Sequence, residues 1–133
     1  FATGHAGAGK GGKTRVLSRY IGGCGAGRCY CAIQPNGDIT PCVYISGLRV
    51  GSLRQQSFAE IWDCSLFGVL SDRRDRRDHC AVCTDRTYCG GCRARAFAYL
   101  DDIRAGDPGC ARNQELWDEL VGLNQALNTI ANE

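Results

Sequence analysis

The sequence lacks a long apolar run and a strong excess of charge of either sign. No apolar run approaches the roughly 18 residues that a membrane-spanning helix needs, and no charged stretch followed by an apolar one opens the chain as in a signal peptide. The net charge is only +2, so the overall balance does not indicate nucleic-acid binding. We therefore expect a cytoplasmic protein with neither a membrane nor a nucleic acid as partner.

Methionine is also absent, and the chain begins at Phe1, as expected of the C-terminal portion of a longer product. Residues 7–14 match the phosphate-binding pattern G-x4-G-K-T. That motif needs a buried strand before it and a helix after it in an α/β sheet, and no alternation of strands and helices follows here. We interpret residues 1–21 as a glycine-rich linker or a remnant of an upstream region.

Cysteine, by contrast, is abundant, with ten residues in a chain of 133. Disulfide scaffolds of similar composition are typically short and secreted, so the missing signal peptide favours metal or cluster ligation over disulfides. Thiolates select zinc, copper(I) or iron–sulfur clusters. Eight cysteines follow a ligand-like pattern: Cys24, Cys31 and Cys42 around a hairpin, then Cys80-x2-Cys83-x5-Cys89-x2-Cys92, and finally Cys110.

The spacing within this pattern bears on the kind of metal. A zinc ribbon separates its two C-x2-C pairs by roughly 15–20 residues, whereas only residues 84–88 lie between the pairs here. In bacterial ferredoxins, the fourth cysteine of the run ligates the other cluster. By the same logic, one cysteine of the 80–92 run could belong to a second site.

Residues 30–44 carry the clearest local signal, because Asn36-Gly37 lies between two β-forming segments and predicts a hairpin. If Asn36 and Gly37 form a two-residue loop, Cys31 lies opposite Cys42. Directly opposed side chains have Cβ atoms about 4.5–5.5 Å apart, so both thiolates could reach one centre. Cys29 shares that face one step farther along, which makes Cys31 the preferred ligand and Cys29 the alternative.

Helices are expected after the hairpin. Ser57 and Glu60 form an S-x-x-E capping box, which predicts the start of a helix, and a second short helix is expected at residues 66–70. Trp62 and Phe67 are predicted core residues. Cys64, outside both cysteine clusters, is interpreted as a packed thiol.

In the second half of the chain, residues 73–78 alternate arginine pairs with aspartates, which is typical of a solvated surface. A cysteine-rich loop over residues 80–92 precedes a predicted helix over residues 93–100. From residue 113 onward, leucine and isoleucine recur at spacings of three and four. This spacing predicts a C-terminal amphipathic helix over residues 113–133.

Together these segments resemble the SPASM domain, the auxiliary-cluster module of many radical S-adenosylmethionine enzymes, including anaerobic sulfatase maturases, peptide-modifying maturases and enzymes of haem biosynthesis. The resemblance covers residues 22–112. It implies a small, loop-rich α+β fold, with a β-hairpin, short helices and a cysteine-rich loop built around two iron–sulfur clusters. The segments that carry it are Cys24-Gly25-Ala26-Gly27, residues 33–42, Gly51-Ser52-Leu53, residues 58–62, residues 80–96 and Asp107-Pro108-Gly109-Cys110.

The resemblance also implies two sets of ligands for [4Fe–4S] clusters. The hairpin group comprises Cys24, Cys42, Cys92 and one further cysteine, for which Cys31 is preferred over Cys29. The loop group comprises Cys80, Cys83, Cys89 and Cys110. One departure is that the family commonly spaces its last loop pair as C-x3-C, whereas Cys89 and Cys92 are separated by two residues. Arg93 and Arg95 are expected to donate to the cluster sulfurs or to balance their charge.

The family's S-adenosylmethionine-cleaving half carries C-x3-C-x2-C, a spacing that does not occur here. This chain alone is therefore not expected to be catalytic. The resemblance implies electron relay and substrate positioning, with an upstream radical S-adenosylmethionine domain and a peptide or small-molecule substrate as partners. Two other classes stay open, namely an independent ferredoxin-like electron carrier and a zinc-stabilised interaction module.

Overall fold

The computed structural model describes residue 17 and residues 20–131, so the phosphate-loop-like motif at residues 7–14 lies outside the described residues. Three short strands form an antiparallel sheet in the order β1-β2-β3: β1 (Ala32–Ile33), β2 (Asp38–Thr40) and β3 (Gly51–Ser52). The described part also contains five helices: α1 (Phe58–Trp62), α2 (Ser65–Ser71), α3 (Asp78–Val82), α4 (Arg93–Leu100) and α5 (Gln114–Ala131). The predicted small α+β architecture is confirmed.

The hairpin forms where it was predicted, but its register differs by one residue. Ala32 pairs with Thr40, and Ile33 pairs with Ile39. The loop has three residues, Pro35 to Gly37, and is closed by a 2.8 Å bond from the Gln34 N–H to the Asp38 carbonyl. Gly37 has φ +87°, the left-handed conformation that a three-residue hairpin loop places at its last position. The predicted pairing of Cys31 with Cys42 is therefore wrong.

The helices of the first half begin where local signals place them. The Ser57 hydroxyl accepts the Glu60 N–H at 3.3 Å, and the Glu60 carboxylate accepts the Ser57 N–H at 2.8 Å. This reciprocal capping box confirms the predicted start of α1. The predicted second helix is also present, as α2.

The hydrophobic core lies between the sheet and these two helices. Ile39, Ile45, Ile61, Phe67 and Leu70 are each at most 2% exposed and form one cluster, against which Trp62 packs. The Trp62 ring meets the Phe67 ring edge-on, with 5.3 Å between ring centroids. The core roles predicted for these two aromatic residues are confirmed, and Cys64 packs against the same cluster.

In the second half, Cys80 lies inside the short helix α3 rather than in the predicted loop. Helix α4 spans the predicted residues and buries Ala94 and Ala96. Helix α5 is present, but no residue of its described part is buried, and its amphipathic character stays a prediction from the leucine spacing. Trp117 on α5 contacts Tyr99 on α4 edge-on, with 5.8 Å between ring centroids. No helix among the described residues is long and apolar enough to cross a bilayer.

Candidate metal centres

All ten cysteines are free thiols. Since cysteine binds metal as the thiolate, every predicted ligand sulfur retains the chemistry that ligation needs. Iron–sulfur clusters are held by cysteine thiolates, so this donor set fits them.

The Tyr30 phenol marks the place where the hairpin group comes together. Its hydroxyl donates to the Cys42 sulfur at 3.9 Å. Burial raises the pKa of Tyr30, and the nearby charges of the Cys24, Cys42 and Cys92 thiolates raise it further. These three cysteines, widely separated in sequence, therefore lie near one side chain. They are three of the four members predicted for the hairpin group.

The structure treats the two candidates for the fourth ligand differently. Cys31 packs against the hydrophobic core, and burial raises the pKa of its thiol. The exposed Cys29 sulfur instead donates to the Tyr20 carbonyl at 3.6 Å. Continuing the observed register places Tyr30, rather than Cys31, opposite Cys42. The preference for Cys31 stays a prediction, and its support is core packing rather than cross-strand pairing.

Cys80 is the buried member of the loop group. Its sulfur accepts the Asp107 N–H at 3.4 Å and lies 3.9 Å from the Arg93 guanidinium. Burial raises the pKa of Cys80, and the Cys110 thiolate contributes in the same direction, so Cys110 lies close to Cys80. The structure therefore brings together the first and last cysteines of this group, which are thirty positions apart.

The other two members lie at the ends of a hydrogen-bonded turn. Cys83 ends α3, and its carbonyl accepts the Arg86 N–H at 3.1 Å. The Cys89 N–H donates to the Asp85 carbonyl at 2.8 Å. Cys89 is exposed and lies near Arg73, a neighbour that it shares with Cys24 and Cys29. Cys89 therefore lies towards the hairpin side of the molecule.

Within the described residues, no three His, Cys, Asp or Glu side chains converge closely enough to hold a single metal ion. A structural zinc site brings four ligands to one ion, with sulfur about 2.3 Å away. Cys24, Cys42 and Cys92 near Tyr30 thus form one neighbourhood and Cys80 and Cys110 another, and neither is a closed single-ion site.

Asp107 connects the two neighbourhoods. Its carboxylate accepts hydrogen bonds from the Cys92 N–H at 2.7 Å and from Nε and Nη2 of Arg95 at 2.8 and 2.7 Å. Its backbone N–H donates to the Cys80 sulfur. Burial alone would raise the pKa of Asp107, but Arg95 and the N–H groups of Cys92 and Gly109 hold it below its ordinary value. Sequence reasoning missed this residue as a site residue, although it lies three positions before Cys110.

Arg93 is fully buried beside Cys80. Besides the contact with sulfur, its guanidinium donates to the Ile103 and Ala105 carbonyls at 2.9 and 2.8 Å. Gly91, with φ +67°, is what allows this close packing: a Cβ there would lie 2.5 Å from the Arg93 guanidinium and 3.0 Å from the Cys80 sulfur. Both arginines predicted to act near the cysteines thus lie beside them, Arg93 directly and Arg95 through Asp107.

The 73–78 run corrects one expectation, because only part of it is solvated. Arg74 and Arg77 are exposed, as predicted, but Arg73 and Arg76 are 8% and 6% exposed. The Nε atoms of both are buried without a hydrogen-bond partner. Thiolates lie near both guanidinium groups, which is a charge environment suited to an anionic cluster. The sequence pattern could not distinguish the buried residues from the exposed ones, since all four are arginine.

A family model described as an iron–sulfur cluster-binding domain, SPASM, matches residues 24–93. The chain is similar to the AdoMet-dependent heme synthase of Methanosarcina barkeri, with 34% identity over 99 residues that cover 74% of this chain and 28% of that protein. It is also 34% identical over 93 residues to the pre-heme d1 synthase of Dinoroseobacter shibae, covering 67% of this chain and 23% of that protein.

A third relative is the PqqA peptide cyclase of Rhodopseudomonas palustris, 38% identical over 93 residues, or 65% of this chain and 25% of that protein. The chain thus spans about a quarter of the length of the curated relatives it matches. No solved structure matches it.

Proposed function

The chain belongs to the SPASM family of iron–sulfur cluster-binding domains, and from this premise we propose that it serves as the auxiliary cluster domain of a radical S-adenosylmethionine enzyme. We assign the cluster domain to residues 22–112 and the two [4Fe–4S] clusters to the hairpin and loop groups. The observation that carries the proposal is the gathering of free thiols in two neighbourhoods, around Tyr30 and around Cys80.

When bound, [4Fe–4S] clusters supply one-electron redox chemistry whose potential depends on charge, hydrogen bonds and solvent exposure. The residues of this chain provide those influences. Asp107 fixes the Cys92 backbone, and Arg93 and the Asp107 N–H approach the Cys80 sulfur. Such contacts orient ligands and tune a metal site. We propose that the domain relays electrons and helps to position a substrate.

The S-adenosylmethionine chemistry is proposed to belong to an upstream domain acting in the cytoplasm. The relatives are named as heme synthases and as a peptide cyclase. Relatives that share this domain are named for different products, so we infer that the task common to them is cluster binding. The substrate of this enzyme is accordingly proposed to be either a peptide or a small molecule.

The first test is anaerobic reconstitution of the 133-residue chain with iron and sulfide. Two four-iron clusters predict about eight irons per chain and a broad absorption near 400 nm, which d10 zinc cannot produce. Cys83→Ala should halve the iron and spare the hairpin cluster. A wild-type chain that takes up zinc but no iron and sulfide would contradict the proposal, and a reproducible value near four irons would remove one site.

The same measurement decides the fourth hairpin ligand. Because Cys31 packs against the core beside the other members, Cys31→Ala should lose the hairpin cluster and about half the iron. Cys29→Ala is the matched control, since it removes an exposed thiol two positions away and should retain both clusters. The reverse result would assign the ligand to Cys29.

A further inference from the structure

A short loop holds Tyr30 in place beside the hairpin group. The Gly25 carbonyl accepts the Tyr30 N–H at 3.2 Å, and the Tyr30 carbonyl accepts the Gly27 N–H at 2.9 Å. Gly25 directly follows Cys24, so the loop ties the backbone of Tyr30 to the residue after a predicted ligand. The backbone of Tyr30 is therefore fixed through both its N–H and its carbonyl.

The ring of Tyr30 lies directly on Gly25. A Cβ at Gly25 would lie 2.7 and 3.0 Å from the Cε1 and Cδ1 atoms of this ring. The ring thus fills the space that any larger residue at position 25 would need. The missing side chain of Gly25 therefore helps to set where the Tyr30 hydroxyl lies.

The hydroxyl at the end of this ring donates to the Cys42 sulfur at 3.9 Å. Cys42 is held from its own side as well. Its carbonyl accepts the Ile45 N–H at 3.0 Å and the Thr40 hydroxyl at 3.2 Å, and the residue is buried. Donor and acceptor are thus each positioned by separate contacts, and the hydrogen bond joins two parts of the hairpin group.

The phenol of Tyr30 is the donor in this contact when Cys42 is a thiolate. A tyrosine hydroxyl ordinarily has a pKa of about 10, and partial burial and the nearby thiolate charges raise the pKa of Tyr30 further. The phenol is therefore protonated at neutral pH, whereas a thiolate offers only lone pairs. Hydrogen bonds to the sulfurs of an iron–sulfur cluster influence its reduction potential.

We propose that the Tyr30 hydroxyl is a hydrogen-bond donor to the hairpin cluster, which acts through the Cys42 thiolate and raises the reduction potential of that cluster. The inference rests on the proposed function, because it takes Cys42 as a cluster ligand. Its physical basis is that reduction adds negative charge to the cluster, and a more negative acceptor forms a stronger hydrogen bond. The loop cluster is expected to be unaffected, since the bond ends on a sulfur of the hairpin group.

The test removes this hydroxyl from the full 133-residue chain. Tyr30→Phe deletes the donor and keeps the ring, which matters because Tyr30 lies between Cys29 and Cys31 and a smaller residue would disturb both. In a redox titration followed by electron paramagnetic resonance, Tyr30→Phe should lower the midpoint potential of the hairpin cluster, observed in a Cys83→Ala background. We expect a shift on the order of 59 mV, a tenfold change in the ratio of reduced to oxidised cluster for one electron. The iron content should stay unchanged.

Two controls separate the hydrogen bond from general effects. Tyr44→Phe removes a hydroxyl two positions from Cys42, on a residue that is 81% exposed, and should leave the potential in place. Gly25→Ala should displace the Tyr30 ring and lower the potential as Tyr30→Phe does. Because both changes break one bond, the double variant should show no further fall. Gly47→Ala is the matched glycine control, since a Cβ there meets nothing within 4 Å.

The comparison of Tyr30→Phe with Tyr44→Phe decides the inference even where Gly25→Ala fails to load iron. Full iron with an unchanged potential in Tyr30→Phe would overturn it, as would an equal shift in Tyr44→Phe. A shift of the loop cluster in a Cys42→Ala background, where the acceptor sulfur is absent, would also contradict it. Loss of hairpin iron from Tyr30→Phe would show that the hydroxyl builds the site and does not tune it. A wild-type chain that binds no iron and sulfide would instead refute the proposed function itself, so the two failures are distinguishable.

Discussion

The hairpin group lies against the hydrophobic core, whereas the loop group lies among charged and polar contacts. Cys42 belongs to the core cluster, and Cys24, Cys31 and Cys92 pack against it. In the loop group only Cys80 is buried, and its neighbours are Arg93 and Asp107. The surrounding turn is tied by polar contacts, including a 2.6 Å ion pair between Arg112 and Asp85.

This difference indicates what each site needs in order to form. Apolar burial stabilises the hairpin side whether or not metal is present. The loop side places guanidinium groups and thiols together, and that arrangement gains most when the sulfurs are deprotonated and bound. We therefore expect the hairpin group to be largely organised before metal arrives, and the loop group to be organised by it.

Removal of iron should have the largest effect and tests this comparison directly. Ligands that bind only the native state stabilise it by mass action, by about 4 kcal/mol at 1,000 times their dissociation constant. In hydrogen exchange, amides of residues 83–92 and 107–112 should lose most of their protection in the apo chain, while those of β1 and β2 keep more. Equal loss of protection in both regions, or equal retention of it, would contradict the proposed difference between the two sides.

Asp107→Asn should have an intermediate effect, and it should be felt at both sites. The substitution weakens the hydrogen bonds of the carboxylate with the Cys92 N–H and Arg95. The Asp107 N–H that binds the Cys80 sulfur is kept, and we expect the loop site to be affected because the loss of the carboxylate bonds shifts this backbone. Hydrogen bonds to charged groups contribute about 1.5–3 kcal/mol each, so we expect a loss of that order in urea unfolding, together with reduced iron.

Asp102→Asn is the control for this variant, because it breaks an ion pair with Arg77, whose side chain is 63% exposed. Exposed pairs contribute about 0–1 kcal/mol, so iron content should stay unchanged. A spectrum of Asp107→Asn in which only one cluster is perturbed would show that the two sites are independent at this residue.

Ser57→Ala should have the smallest effect, and it lies on the core side of the molecule. Loss of an N-cap typically costs about 1 kcal/mol, and both hydrogen bonds of this capping box link Ser57 to Glu60. The midpoint temperature of thermal unfolding should fall slightly, and both clusters should keep their full iron content. Loss of iron from this variant would show that the hairpin side is no more independent of its metal than the loop side.

The same variant predicts a pH dependence. Hydrogen bonds from the Ser57 side chain and backbone lower the pKa of Glu60. A carboxyl whose pKa is depressed on folding stabilises the protein above its unfolded pKa, about 4.3 for glutamate, and loses that contribution as the pH falls through the folded value. The stability difference between wild type and Ser57→Ala should therefore shrink below about pH 4, as measured by urea unfolding. A constant difference would exclude this role for Glu60.

Local signals in the sequence predicted the elements well, because each depends on residues a few positions apart. Ser57 and Glu60 form the predicted cap, and helix α4 spans the predicted residues. The hairpin also forms, yet its register slipped, because the loop takes in Pro35 as well as Asn36 and Gly37. A single added loop residue is a small local change, but it exchanges the partner of every residue on the opposite strand.

The sequence by itself determined the family and the supply of thiolates, since the cysteine spacing is a property of the chain alone. Only the tertiary structure decided which arginines of the 73–78 run are buried and that Asp107 joins Cys92 to Cys80. The physical reason is that burial and charge balance depend on segments far apart in the chain.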